Sequence, residues 1–214
     1  MFKTLNILGP ELPGSRVLDL VNHPDVSLAI WHRPPQPDLI QFLQAYALGG
    51  GEDLVFDATP ESFSLSLLQA FIRVGLTRDP ACVLLQKDIE LLANIFWDLT
   101  GAPQIHTEMA IITGPHCTRF HADYNFSRML CTYVGPGTLW TPHENVRWCQ
   151  NHDDALPCVE GLHDPSLIHQ LDCFDVAWLK GRLNKDSRGY GQVHRSPDLP
   201  EGMPFRILLK FDLV

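Results

Sequence analysis

Apolar positions recur every three to four residues through much of the first hundred positions, and the period shortens after that. Following Pro34 and Pro35, Asp38 stands as a cap before Leu39, Ile40, Phe42, Leu43 and Tyr46, and Gly49-Gly50-Gly51 stops the run. That spacing predicts a helix with a glycine end. A second helix is predicted over Ser62 to Val74. The third carries the strongest signals: Asp79 as N-cap, Pro80 at the first helical position, apolar residues from Val83 to Phe96, and Gly101 as terminator. Ahead of these, Val17–Val21 and Val26–Trp31 are short apolar runs split by a turn at His23-Pro24-Asp25. Residues 1–105 therefore read as an α-rich N-terminal region.

The second half reads differently. His106 to Thr113, Met129 to Val134, Asp175 to Lys180, Tyr190 to His194 and Phe205 to Leu213 are strand-like runs bounded by Gly and Pro. Short strands after a helical start imply an α+β chain, with helices packed on a β-rich barrel or sandwich over residues 106–214. Between them, residues 141–172 form a long polar segment rich in His, Asp and Pro. A connection of that length suits a lid or substrate loop. A chain of 214 residues can bury a full core as one compact unit or a closely packed pair.

Composition narrows the function classes. Apolar content of 45% with 19% charged residues is that of a globular protein. A net charge of −9 with no basic stripe argues against binding a phosphate backbone. No apolar run is long enough to cross a bilayer, and Met1-Phe2-Lys3-Thr4 opens no signal sequence, so a cytoplasmic location is expected. Six Cys in such a chain read as reduced thiols or metal ligands rather than a disulfide framework. Cys82 reads as core filler, and Cys131 alternates with Met129 and Tyr133 on one strand face.

The candidate chemistry lies in His121-Ala122-Asp123 and in His194, 73 residues later. His-x-Asp followed by a distant His is the ligand order of the facial triad that leaves one side of an iron(II) ion open. The tripeptide alone is weak, since His23-Pro24-Asp25 and His152-Asp153-Asp154 match it too. Only the middle copy leads into a strand-like run, where a ladder can hold two ligands in place. His and Asp at i and i+2 of an extended chain point to the same side. Arg206 follows His194 by twelve residues and alternates with Leu208 and Lys210 on an apolar strand. A buried guanidinium there needs an anion, and the far carboxylate of a 2-oxo acid fits its geometry. Arg128 and Arg195 are rivals for that task, and Tyr124 and Tyr133 offer hydroxyls. Trp140 reads as packing.

Phe120-His121-Ala122-Asp123-Tyr124, Arg128 to Trp140, Asp175 to Gly181 and Val193 to Pro197 resemble the blocks of a bacterial family, domain of unknown function eighteen-twenty-six. The resemblance is tight over residues 116–214 and weaker before them. Relatives associated with zinc-homeostasis genes keep a zinc reading open. The block order also resembles the jelly-roll core of cupins and 2-oxoglutarate oxygenases, which implies a C-terminal double-stranded β-helix.

Two functions are carried forward. The first is a non-haem Fe(II) and 2-oxoglutarate-dependent dioxygenase, with His121, Asp123 and His194 on the metal, and Arg206, Arg128 or Tyr133 on the cosubstrate. It would act on a small-molecule or protein substrate. The second is a zinc-binding or metal-homeostasis protein without oxygenase activity. That protein would use the same triad or a second set at zinc-like spacing, Cys149, His152, Cys158 and His163.

Overall fold

A computed structural model of the chain describes residues 3–5, 14–76, 79–149 and 157–214. Helix α1 spans Pro37–Leu48, with Pro37 in its first turn. Asp38 lies inside that turn rather than at the cap, where its charge suits the helix N-terminus. The glycines end the helix as expected: Gly50 takes φ 83°, and Gly51 N–H returns to Tyr46 O at 3.0 Å. Helix α2 is Phe63–Arg73 and α3 is Ala81–Thr100. Asp79 Oδ1 accepts from Ala81 N–H at 2.8 Å, and Gly101 closes α3 in the left-handed region.

The N-terminal region is not helical throughout. Three of its segments are strands: β1 Lys3–Leu5, β2 Val26–Trp31 and β3 Leu54–Ala58. β2 is buried along nearly its whole length, so its sequence lacks the alternation that marks a half-exposed strand. The remaining strands of the large sheet are β4 Ile105–Ile112, β5 Ser127–Val134, β10 Val176–Lys180 and β12 Arg206–Leu213. Their order is β1-β2-β10-β5-β12-β4-β3, so strands from both halves of the chain share one sheet. Every pairing in it is antiparallel except β1 with β2.

Residues 141–172, expected as an irregular segment, hold further strands. β7 Val146–Cys149 pairs with β8 Cys158–Leu162, and β9 His169–Gln170 pairs with β6 Leu139–Trp140. β11 His194–Arg195 completes a three-stranded sheet of order β11-β6-β9. The Asn145 side chain ties the hairpin base, donating to Thr141 Oγ1 and Asp164 O and accepting from Asp164 N–H, each at 2.8 Å. Tyr190–Val193, read as strand, is not one; Gly191 takes φ 66° there.

Strand parity divides the large sheet into two faces. Met129, Cys131, Tyr133, Val176, Trp178, Ile207, Leu209 and Phe211 join the main core with Leu85, Leu92 and Phe96 of α3. Leu28, Ile30, Leu130, Ala177, Leu179 and Leu208 face the other way and pack with Trp140 of the small sheet. The second cluster is much smaller, and it borders the polar groups described next. No helix among the described residues is long and apolar enough to cross a membrane.

Candidate metal centre

His121 and His194 are opposite each other in a single antiparallel bridge. Each backbone N–H donates to the other's carbonyl, at 3.0 and 2.9 Å. A pair that exchanges both bonds holds its side chains on one side of the ladder, and the two ring centroids are 4.7 Å apart. Register with Trp140 fixes His194 from β6. Ligand atoms of His121, Asp123 and His194 all lie within 4.8 Å of one another. Asp123 Oδ1 is 3.4 Å from His121 Nε2, and its Oδ2 is 3.4 Å from His194 Nε2.

Backbone carbonyls set the imidazole orientation. His121 Nδ1 donates to Arg119 O at 2.9 Å and His194 Nδ1 to Gln192 O at 3.0 Å. A carbonyl only accepts, so each Nδ1 carries the proton and each Nε2 of a neutral ring offers a lone pair. Two lone pairs and a carboxylate then converge, which a cation between them satisfies. An ion held at about 2.1 Å sets its ligand atoms about 3.0 Å apart at adjacent octahedral positions and about 3.4 Å apart at tetrahedral ones. The observed spacing therefore fits a metal.

Burial would raise the Asp123 carboxyl, but without a metal His121 and His194 can donate to it from protonated Nε2, and with the charge of Arg128 they hold it well below the usual carboxylate range; a metal would take the place of those two protons. The Asp123 acceptor in turn raises His121 above its ordinary value. Arg128 is committed to this network rather than free for a cosubstrate. Its Nη1 donates to Asp123 Oδ2 at 2.6 Å, and its Nε and Nη2 donate to the two Asp212 oxygens at 2.8 Å each. Asp212 was not singled out from the sequence. Its signal is its place two residues past Lys210, on the Arg206 face of β12.

Arg206 lies in the space between the sheets, 1% exposed. It pairs with no carboxylate among the described residues. Nη1 reaches Pro136 O and Nη2 reaches Thr138 Oγ1, both at 3.4 Å, and Nε has no partner among the described residues. Burial pulls its guanidinium down to about 10, so it stays charged near neutrality. Gly135 is required here: at φ 86° an added Cβ would sit 2.9 Å from Arg206 Cβ. Thr132, on the same face of β5, also buries a hydroxyl oxygen without a partner among the described residues.

Other candidates fall elsewhere. Tyr133 is on the helical face, where its hydroxyl donates to Asp88 Oδ2 at 2.7 Å, so the sheet separates it from Arg206. Tyr124 is exposed. Arg195 Nη2 is 3.4 Å from Asp198 on the surface. Trp140 packs, stacked on His169 at 4.5 Å. The second metal set loses its thiolates, because Cys149 and Cys158 are register partners in β7 and β8 and form a disulfide. That also corrects the expectation of six reduced thiols. His163 is exposed, and His152 is outside the described residues.

Several solved structures are similar in part. A Pseudomonas putida prolyl-4-hydroxylase is 15% identical, covers 97% of this chain and 98% of its own, and gives a TM-score of 0.46. The dioxygenase for auxin oxidation 1 from Arabidopsis thaliana, in complex with 2-oxoglutarate, is 10% identical over 76% of this chain and 63% of its own, at 0.45. HygX from Streptomyces hygroscopicus, with iron bound, is 8% identical over 99% and 88%, at 0.41. No curated protein sequence matches. The profile of one family, described as Protein of unknown function (DUF1826), matches residues 14–212, and the chain belongs to that family.

Proposed function

We propose that the chain is an Fe(II)- and 2-oxoglutarate-dependent dioxygenase in which His121, Asp123 and His194 hold the metal and Arg206 anchors the cosubstrate. The observation that carries this reading is the buried Arg206 guanidinium, which meets no carboxylate among the described residues. A permanent cation without a counter-ion is costly to bury, and a carboxylate ligand would remove that cost. Register supports the reach. Arg206 meets Thr138, two residues before Trp140, and Trp140 pairs with His194. Two residues of extended chain span about 7 Å, similar to the length of a five-carbon diacid.

The fold proposed for this function is a jelly roll. Residues 106–214 would supply the metal-binding core, and the N-terminal helices would brace its outer face. The large sheet would be one wall and β11-β6-β9 the other, with the ligands at one open end. When bound, iron would activate dioxygen, the oxidant, with the 2-oxo acid as electron donor. The chain's own residues do the rest. Arg119 and Gln192 carbonyls fix the imidazoles, Arg128 holds Asp123, Arg206 with Thr138 and Thr132 receives the far carboxylate, and Leu130, Leu208 and Trp140 keep water from the space between the sheets.

The 3.4 Å spacing also suits tetrahedral zinc on the same three ligands, which is the second reading. Anaerobic calorimetry of 2-oxoglutarate into manganese-loaded protein separates the two. The dioxygenase reading expects saturable binding that Arg206→Ala weakens about tenfold or more. Absence of binding at millimolar concentration in the wild type would favour zinc.

A further inference from the structure

The metal centre is asymmetric. His194 is buried, whereas His121 is half-buried and borders a cleft of about 260 Å³. Arg119, Phe120, Trp148, Val159 and Arg182 line that cleft with it. The chain carries a net charge of −9, yet both charged side chains contributed by these residues are arginines. Neither pairs with a carboxylate among the described residues.

Arg182 is held by backbone carbonyls. Its Nε donates to Gly189 O at 3.1 Å and its Nη2 to Pro157 O at 2.7 Å, which orient the guanidinium and bring it no carboxylate among the described residues. Trp148 supplies an apolar wall, its ring held edge-on against Tyr190 at a centroid distance of 4.8 Å. One held guanidinium, Arg182, and one exposed guanidinium, Arg119, beside an apolar wall favour an anion, and the volume admits only a small one.

We infer that this cleft binds a small organic anion, a carboxylate or a phosphate ester. Its charged group would sit between Arg119 and Arg182, and its apolar body against Phe120 and Trp148. Its place beside His121 makes that anion the substrate. The assignment as substrate rests on the dioxygenase reading; the anion site itself does not.

The test titrates benzoate, phenyl phosphate and neutral benzamide into the full chain, followed by calorimetry and tryptophan fluorescence. Benzoate or phenyl phosphate should saturate at least tenfold more tightly than benzamide, and whichever binds better identifies the headgroup. Arg119→Met/Arg182→Met should abolish that preference, Arg182→Lys should keep most of it, and Arg206→Met should leave it intact. Titration of 2-oxoglutarate should show the reverse, lost in Arg206→Met and kept in the double variant. The inference is overturned if benzamide binds as well as the anions, if the double variant binds them like wild type, or if only Arg206→Met loses them.

Discussion

Arg33 and Arg206 are both buried against the large sheet, on opposite faces, and their partners differ. On the helical face Arg33 donates to both Asp88 oxygens, at 2.6 and 3.2 Å, and to Phe174 O at 3.1 Å. Tyr133 donates to the same Asp88. Despite the cost of burial, Cys131 and Asp88 hold the Arg33 guanidinium above its ordinary value. On the other face Arg206 has two long contacts with neutral oxygens, and its guanidinium is pulled down. One face has closed its electrostatics within the chain. The other leaves a guanidinium without a carboxylate partner among the described residues, and the same face carries the link from Arg128 to Asp123.

The largest expected effect breaks the closed face. Asp88→Ala leaves Arg33 buried and unpaired, which costs about 3–5 kcal/mol. In a chain of this size that lowers the thermal unfolding midpoint by roughly 6–20 °C. Metal stoichiometry of the folded protein should not change. A midpoint near that of wild type would show that the pair is not structural.

Arg128→Gln comes next. It removes the 2.6 Å donor to Asp123, and losing such support for a metal ligand typically costs 10–100-fold in affinity. Chelator competition measures it directly. Unchanged affinity would detach Arg128 from the metal centre.

Arg206→Met should do the opposite of Asp88→Ala. Replacing an unpaired buried cation by an apolar chain leaves stability unchanged or raises it by about 1 kcal/mol or more, while 2-oxoglutarate binding weakens about tenfold. Paired denaturation and calorimetry would show both. A destabilised variant would mean that Arg206 has an internal partner after all.

The smallest effect is that of Tyr133→Phe. Asp88 keeps Arg33, so the loss is one hydrogen bond, about 1 kcal/mol, with no change in cosubstrate affinity. Weakened 2-oxoglutarate binding would place Tyr133 functionally on the wrong face of the sheet.

The sequence was most legible where one segment sets its own environment. The glycine stop of α3, and the apolar runs of β4, β5, β10 and β12, were readable because period and punctuation are local. β3 was missed because Leu54–Ala58 is a short edge strand flanked by Gly51 and Thr59, with too few turns of pattern to read. Tyr133 shows a different limit. Its alternation with Cys131 was correct, but parity tells which residues share a face and not which face that is. The Cys149–Cys158 pairing and the Arg128–Asp212 pair depend on strand register, which brings distant residues together without a local signal. His121, Asp123 and His194, which the fold brings together, could be grouped from spacing, whereas the contacts of the arginines around them needed three dimensions.

In the proposed dioxygenase His121, Asp123 and His194 hold one ion. Metal analysis of anaerobically purified full-length chain, wild type against His121→Ala, tests it most directly. One divalent ion per chain is expected in the wild type, with its loss in His121→Ala at an unfolding midpoint close to wild type, and full retention in Cys149→Ser. A His121→Ala protein that keeps its full complement of metal would contradict it.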